Sequence, residues 1–266
     1  MKLSVIIGVY NNEETLQEAL DSLYAQTYKD FEIIICDDGS TDGTWNIISQ
    51  NAELHENVVA IRNEKNLGLN ATLNRCLELA KGEYIARMDG DDISLSERFE
   101  KEVRFLDEHP EYSIVSCPLI YFDETGEIGR GKGGYEPTKN DFMYGTPLCH
   151  AASMIRRSAL DAVGGYSVSP KLLRVEDYHL WMKMYAIGLR GYNLSECLYM
   201  ARDGKKAHQR RSFRNRWNEM YVHFLACRTL HLPLKGYVYC ILPILKWLVP
   251  KSVYRYYHRK RLYDAE

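Results

Sequence analysis

The sequence predicts an α/β fold, in which a mostly parallel central sheet is flanked by helices. Strand-like and helix-like segments alternate four times within the first 110 residues, which is the pattern of a parallel sheet. The first two strand-like segments, LSVIIGVY and FEIIIC, are continuous apolar runs, as expected for strands buried on both faces. Polar residues follow the strands at the edge where such sheets bind ligands.

The predicted elements of this first part follow one another in regular order. The strand-like segments are LSVIIGVY, FEIIIC, VVAIRN and EYIARMD. The helix-like segments are NNEETLQEALDSLYAQ, TWNIISQNAEL, NATLNRCLELAKG and SLSERFEKEVRFLDEHP. The expected helix boundaries are a cap at Asn11 or Asn12, a stop at Gly82, a cap at Ser94 or Ser96, and a stop at Pro110.

After residue 112 the alternation is less regular. The segment VEDYHLWMKMYAIG predicts an amphipathic helix with Leu180, Met184 and Ile187 on one face, and residues 212–231 predict another helix. The glycine-rich segment GRGKGG lacks the Ser or Thr that ends a phosphate-binding loop. We expect it to be a surface loop, with a lid over a bound ligand as the alternative.

Composition and charge narrow the class of protein. Of 266 residues, 45% are hydrophobic and 26% charged, as in an ordinary globular protein with a real core. Residues 1–200 contain 19 Lys and Arg against 32 Asp and Glu, whereas residues 201–266 contain 15 against 4. The seven cysteines form no CxxC pair and the N-terminus does not resemble a signal peptide, so we expect a cytoplasmic protein with reduced thiols.

Three carboxylates are crowded in the stretch ARMDGDDIS, directly after the fourth predicted strand. Asp89, Asp91 and Asp92 would repel one another unless a cation or strong hydrogen bonds offset their charge. Carboxylate oxygens suit Mg²⁺ or Mn²⁺. The alternative is a turn followed by a helix cap, because Asp is favoured in both places. Tyr10 and Asp38 follow two other strands at the same edge, which favours a site for a cation and its polyanionic ligand.

Four motifs resemble those of the family 2 glycosyltransferases, which have a GT-A fold. They are SVIIGVYNNEETLQEALDSLYAQTYKDFEIIICDDGSTDGT, NLGLNATLN, GEYIARMDGDD and EDYHLWMKM, in the order of the family and covering about residues 1–200. The resemblance implies a GT-A nucleotide-sugar fold and an inverting enzyme of the kind that builds bacterial polysaccharides. Gly8 departs from the family, which usually has proline at that position.

The resemblance also implies which residues form the site. The positions matching the nucleotide-sugar site are Gly8, Val9, Tyr10, Glu13, Asp38, Asn66 and Asp89. Asp91 and Asp89 match the ligands of a Mn²⁺ or Mg²⁺ cofactor, to which His208 is added as a candidate third ligand. Asp177 matches the catalytic base. By contrast, Trp181 and His150 are expected to be packing residues, with a place at the border of the acceptor site as the alternative for Trp181 and a catalytic role in the acceptor half as the alternative for His150.

The implied reaction is a single displacement with inversion at the anomeric carbon. The donor would be a nucleotide-diphosphate sugar, in most such enzymes a UDP-sugar, and the acceptor a hydroxyl of a glycan or lipid-linked acceptor. The product would serve capsule, lipopolysaccharide or exopolysaccharide synthesis. Two alternatives are a sugar nucleotidyltransferase, which would want a glycine-rich, Arg-containing loop near the N-terminus, and a catalytically inactive nucleotide-sugar-binding module.

We divide the chain into a catalytic domain, residues 1–205, and a helical basic tail, residues 206–266. The catalytic domain comprises a nucleotide-sugar half, residues 1–110, and an acceptor half, residues 111–205. The apolar and then basic, aromatic character of the tail predicts contact with the anionic inner face of the cytoplasmic membrane. The alternative is a terminal helix packed on the domain. Nothing in residues 1–200 favours nucleic acid as a partner.

Overall fold

The computed structural model describes residues 1–203 and 212–249. The strands in this part of the chain are β1 Leu3–Val9, β2 Phe31–Asp37, β3 Val58–Arg62, β4 Tyr84–Met88, β5 Ile93–Ser94, β6 Ile114–Ser116, β7 Leu119–Asp123, β8 Gly126–Arg130, β9 Ser153–Arg156, β10 Gly191–Asn193 and β11 Tyr199–Arg202. The helices are α1 Leu16–Tyr24, α2 Thr44–Leu54, α3 Leu69–Leu79, α4 Arg98–Glu108, α5 Arg157–Val163, α6 Glu176–Ala186, α7 Phe213–Thr229, α8 Leu234–Tyr239 and α9 Leu242–Leu248.

The central sheet has seven strands in the order β10-β6-β9-β4-β1-β2-β3. Every pairing is parallel except those of β9, which runs antiparallel to both β4 and β6. The predicted mostly parallel sheet is therefore confirmed. A second sheet of four strands, in the order β5-β11-β7-β8, was not predicted, because its strands are short and come from distant parts of the chain.

Alternating residues of the strands fill two apolar cores, one on each face of the central sheet. Ile6 of β1 packs in the same cluster as Leu73 of α3. Its neighbours Val5 and Ile7 point the other way and pack in a cluster with Leu16 of α1. Burial on both faces explains why these strands read as continuous apolar runs rather than alternating ones.

Several expected helix boundaries are wrong. Helix α1 begins at Leu16 with Thr15 at the N-cap position and no side-chain cap, and the carbonyl of Asn12 accepts from the amides of Thr15 and Leu16 in the turn before it. Helix α3 ends at Leu79. Gly82 lies beyond it, where a Cβ would stand 2.4 Å from the amide nitrogen of Ser4, so this glycine permits close backbone packing and is not a helix stop.

Two further expectations about helices also differ from the structure. Helix α4 begins at Arg98 with no side-chain cap from Ser94 or Ser96, and it ends before Pro110 as expected. On α6, Leu180 and Met184 are buried as predicted but Ile187 is exposed, because the helix ends one residue before it.

The described part of the predicted tail is helical and packs on the rest of the chain. Helix α7 contacts α6, and α8 and α9 contact α7. Val222, Ala226 and Cys227 of α7 belong to the same buried cluster as Leu180 and Trp181 of α6. In residues 1–203 and 212–249, no helix combines the length and apolar character needed to cross a membrane.

Candidate active site

A cavity of about 1010 Å³ opens at the carboxyl ends of β1, β2 and β4. Ligands of parallel α/β sheets bind at this edge, and the volume suits a nucleotide sugar rather than a single ion. Side chains from both predicted halves of the catalytic domain line it, among them Tyr10 and Asp89 from the first half and Thr146 and Asp177 from the second. The two halves therefore contribute to one site.

The end of β1 forms one wall of the cavity. Gly8, Val9 and Tyr10 all line it, and the ring of Tyr10 is exposed. A Cβ on Gly8 would stand 3.0 Å from Leu69 Cδ1 and 3.1 Å from Thr72 Cγ2. The glycine therefore lets α3 lie close against β1, which is the local consequence of having glycine where the family usually has proline.

Asp38 lines the cavity but also organises the loop that leads into α3. Its Oδ1 accepts from Asn63 Nδ2 at 2.7 Å and from the Leu67 amide at 2.8 Å, and its Oδ2 accepts from the Gly68 amide at 2.9 Å. An ionised carboxylate has about four acceptor sites, so these bonds leave capacity for a ligand. The same loop carries Asn66, which is exposed and lines the cavity as well.

Glu13 is the one predicted nucleotide-side residue that does not line this cavity. Its Oε2 accepts from the Gly43 amide at 2.8 Å, and its own amide donates to Asp42 at 3.2 Å. These bonds join the end of the loop after β1 to the N-terminus of α2, of which Gly43 is the N-cap. The sequence could not indicate this, because the contact depends on how two loops meet.

The aspartate cluster lies where the strand pattern predicted it. One carboxylate oxygen from each of Asp89, Asp91 and Asp92 lies within 4.8 Å of the others. Burial, together with the charges of Asp89 and Asp91, raises the pKa of Asp92 to about 7. The three oxygens form the type of donor set that Mg²⁺ and Mn²⁺ prefer, so the cluster fits the implied cofactor. His208 lies outside the described residues.

Gly90 allows this cluster to lie against β1. A Cβ at position 90 would stand 2.6 Å from Val9 Cγ1, closer than real Cβ contacts come. The glycine between Asp89 and Asp91 is therefore required by packing. Because Val9 also lines the cavity, the contact joins the predicted metal ligands to the predicted nucleotide wall.

Arg87 is a site residue that the sequence reading missed. It lies on β4, is only 2% exposed, lines the cavity and places Nη1 2.5 Å from Asp89 Oδ1. Its Nε has no hydrogen-bond partner among the described residues. The available signal was an arginine inside an otherwise apolar strand, because burying that charge is costly without a partner.

Strand β11 holds the aspartate cluster from the other side. The Arg202 amide donates to Asp92 Oδ1 at 2.9 Å, and Arg202 Nε donates to the Asp91 carbonyl at 3.0 Å. The Asp89 amide donates to the Tyr199 hydroxyl at 3.1 Å. Because β11 follows the cluster by about a hundred residues, only the second sheet reveals this support.

Two acids lie at the N-terminus of α6 and line the cavity. Burial raises the pKa of Asp177, while hydrogen bonds from the amides of Tyr178 and Asp177 and from the Thr146 hydroxyl act against the rise. Burial and the charge of Asp177 raise the pKa of Glu176 to about 7. A carboxylate with a raised pKa in a cleft can accept a proton near neutral pH.

The two aromatic residues expected to be packing residues differ in their surroundings. Trp181 is fully buried, donates from Nε1 to the Leu148 carbonyl and does not line the cavity. His150 does line it, with Nε2 2.7 Å from the Tyr166 hydroxyl. Burial and the nearby charge of Arg87 lower the pKa of His150 well below its usual value, so the ring is neutral at pH 7.

The glycine-rich segment forms part of the cavity wall. Gly131 and Lys132 line the cavity, and a Cβ on Gly133 would stand 1.9 Å from the Leu194 carbonyl oxygen. The Gly134 amide donates to the carbonyls of Asn193 and Leu194. The segment is therefore packed against the loop after β10.

Comparisons with known proteins agree with this geometry. The sequence model of the family described as "Glycosyl transferase family 2" matches residues 4–164. EpsE of Bacillus subtilis (strain 168) is 42% identical over 266 residues, covering 100% of this chain and 96% of that protein. The Escherichia coli protein WfaP, named UDP-Glc:alpha-D-GlcNAc-diphosphoundecaprenol beta-1,3-glucosyltransferase, is 31% identical over 204 residues, which cover 76% and 78% of the two chains.

A solved structure shares the fold. The crystal structure of S. aureus TarS 1–349 in complex with UDP-GlcNAc aligns with a TM-score of 0.72 at 23% identity, covering 93% of this chain and 72% of that one. The architecture described above is therefore that of the GT-A glycosyltransferases.

Proposed function

Because this chain belongs to glycosyl transferase family 2 and is a glycosyltransferase, we propose that it transfers a sugar from a UDP-sugar to an acceptor hydroxyl with inversion. The observation that carries this proposal is that Asp89 and Asp91 after β4 and the acid pair of α6 line the same cavity. One group of acids is suited to hold a cation with a diphosphate, and the other to take a proton.

The nucleotide would lie along the ends of β1 and β2. Tyr10 offers an exposed ring on which a base can stack, and Asp38 offers remaining acceptor capacity towards a base N–H. Gly8 and Val9 line the cavity next to Tyr10, and Asn66 lines it from the loop before α3. The names of WfaP and of the TarS complex, which mention UDP-Glc and UDP-GlcNAc, support uracil as the base.

Asp91 and Asp89 would hold Mn²⁺ or Mg²⁺. When bound, such a cation neutralises the charge that develops on the leaving diphosphate. Asp91 is the proposed direct ligand, while Asp89, which pairs with Arg87, would interact with the ribose or with water bound to the ion. His208 is kept as a candidate ligand on the strength of the resemblance alone.

Asp177 would act as the base in a single displacement. Its carboxylate removes the proton of the acceptor hydroxyl as the oxygen attacks the anomeric carbon from the face opposite the leaving group, so the configuration inverts. The raised pKa of Asp177 improves its match to a hydroxyl proton at neutral pH. Glu176, beside it, adds negative charge and is not needed as a second base.

The acceptor would be a glycan hydroxyl, and we favour one on a lipid-linked glycan used in cell-surface polysaccharide synthesis. WfaP, whose name gives a sugar linked to diphosphoundecaprenol as its acceptor, supports this class. Such an acceptor would place the enzyme at the cytoplasmic face of a membrane. The family membership disfavours a sugar nucleotidyltransferase. A measurement of turnover distinguishes an active enzyme from an inactive binding module.

The first test is calorimetric titration of the full chain with UDP, GDP and CMP, each with and without Mn²⁺. We expect UDP binding that requires both Mn²⁺ and the carboxylate removed in Asp91→Ala. The control Asp21→Ala removes a carboxylate at an exposed position on α1 and should leave binding unchanged. Binding of GDP in place of UDP would change the donor and keep the mechanism, while the absence of any metal-dependent binding would contradict the proposal.

A further inference from the structure

The last two described helices present apolar side chains on both sides. Gly236, Cys240 and Pro243 are buried against the rest of the chain, and a Cβ on Gly236 would stand 3.1 Å from Cys227 Sγ. These residues, spaced by four and three, form the inward side. A surface helix of this kind ordinarily has a polar outward side.

The outward side is apolar instead. Val238, Ile241, Leu245 and Leu248 recur at spacings of three, four and three, and all four are exposed, Val238 by 70% and Leu248 by 66%. The backbone of Cys240 and Ile241 between the two helices is also in the right-handed helical region, so the helical spacing holds across them. Exposed apolar patches of this kind mark interaction surfaces.

Aromatic rings extend this surface towards the cavity. Phe213 in the first turn of α7 packs edge-on against Trp247 of α9, with ring centroids 5.3 Å apart, and Trp217 lies one turn further along α7. All three rings are exposed. We call the exposed side chains Phe213, Trp217, Val238, Leu245, Trp247 and Leu248 the C-terminal apolar face.

The charges around this face are positive. Lys235 and Lys246 are exposed on α8 and α9. The sequence after residue 249, which lies outside the described residues, contains Lys251, Arg255, Arg259, Lys260 and Arg261. Apolar and aromatic side chains on helices that also carry exposed Lys match the interface of an anionic bilayer, where rings lie at the level of the headgroups and cations pair with phosphate.

We propose that the C-terminal apolar face inserts into the headgroup region of an anionic membrane and thereby holds the cavity at the bilayer surface. The connection runs through α7, because the turn that carries Phe213 also carries Asn215, which lines the cavity. An acceptor anchored in the same bilayer would reach Asp177 by diffusing in two dimensions. This last step rests on the proposed function, whereas the membrane contact does not.

The test is co-sedimentation of the full chain with vesicles of phosphatidylcholine alone and of phosphatidylcholine with one third phosphatidylglycerol. We expect binding to the anionic vesicles that weakens at high salt. The triple variant Val238→Ser, Trp247→Ser, Leu248→Ser should lower the partition coefficient about tenfold or more. The control Leu54→Ser removes a side chain that is 77% exposed at the end of α2 and should bind as the unaltered chain does.

The outcomes separate this proposal from its alternatives. Absence of vesicle binding, or equal binding by the triple variant, would overturn it. Self-association of the unaltered chain that the triple variant abolishes, without vesicle binding, would show that the face is an interface between copies. UDP titration of every variant tests the proposed function separately. If UDP does not bind, the proposed function fails, but the vesicle result still stands.

Discussion

The guanidinium of Arg87 lies 2.5 Å from the carboxylate of Asp89, and both side chains line the cavity that also holds Asp177. Arg87 is almost fully buried, and while burial raises the pKa values of Glu176 and Asp177, the charge of Arg87 opposes that rise. One buried cation therefore acts on both acidic groups of the site. The family resemblance predicts roles for the acids, whereas the position of the arginine between them is given by the fold.

Arg87→Met should raise the pKa of the acid pair, because it removes a positive charge and keeps a similar volume. The acid limb of the pH–rate profile should move to higher pH, and turnover at neutral pH should fall. Arg87→Lys keeps the charge and should return the limb towards its original position. Steady-state rates across pH measure this, and a limb that stays in place in Arg87→Met would rule out the electrostatic role.

The profile of the unaltered enzyme should report the acid pair of α6. A base must be deprotonated, so the rate should fall as pH drops through a pKa that burial holds above the usual value of Asp. Asp177→Asn should lose about 10²–10⁴-fold in rate and keep UDP binding. Glu176→Gln should keep turnover, because the proposed reaction needs no second base. Full activity of Asp177→Asn would refute the base assignment.

Gly90→Ala should disturb the aspartate cluster through Val9. The added Cβ would stand 2.6 Å from Val9 Cγ1, so the loop carrying Asp89 and Asp91 must shift. We expect metal-dependent UDP affinity to fall about tenfold, or ~1.4 kcal/mol. The double variant Val9→Ala, Gly90→Ala lacks the methyl groups of Val9 that the new Cβ would contact. Its loss of UDP affinity should therefore be smaller than the sum of the losses in the two single variants. Purely additive losses would contradict this explanation.

The buried pair Arg98–Glu102 should matter far more for stability than an exposed pair on the same helix. Both side chains are fully buried, so Arg98→Met leaves an unpaired acid and should cost about 3–5 kcal/mol of unfolding free energy. Arg104, which pairs with Glu100 at the surface, is the matched control. Arg104→Met should change that free energy by less than about 0.5 kcal/mol. Equal effects in urea denaturation would disprove the contrast.

The loss of stability in Arg98→Met should depend on pH in a definite direction. Burial raises the pKa of Glu102 to about 7, and Arg98 opposes that rise. Without Arg98 the folded-state pKa is higher still. The folded form of the variant then keeps its proton above pH 7, where the unfolded form has lost it, so its stability continues to fall with rising pH. The cost of Arg98→Met should therefore be larger at pH 8 than at pH 6.

Features that follow from local sequence pattern could be predicted, whereas features that depend on contacts between distant segments could not. Apolar runs and the polar residues after them gave the central sheet and the position of the aspartate cluster, because both follow from local pattern and from the geometry of parallel sheets. The contacts that Gly82 and Glu13 make were not predicted. Each joins segments that are far apart in sequence, and no local pattern carries that information.

The second sheet shows the same limit. Strand β5 has two residues, and its partner β11 lies about a hundred residues later. The support that Tyr199 and Arg202 give to Asp89, Asp91 and Asp92 therefore had no sequence signal. Arg87 did have one, since a single arginine within a strand otherwise composed of apolar residues must have a buried partner.

Strand β9 joins the nucleotide half and the acceptor half into one hydrogen-bonded sheet, because it pairs with β4 on one side and β6 on the other. Enzymes whose halves lie on separate sheets can close around a substrate as rigid bodies. A continuous sheet resists that motion, so the entry of the proposed donor and the release of its nucleotide would depend on the surrounding loops. X-ray scattering should then give the same radius of gyration with and without UDP and Mn²⁺, and turnover should follow the speed of loop motion rather than domain closure.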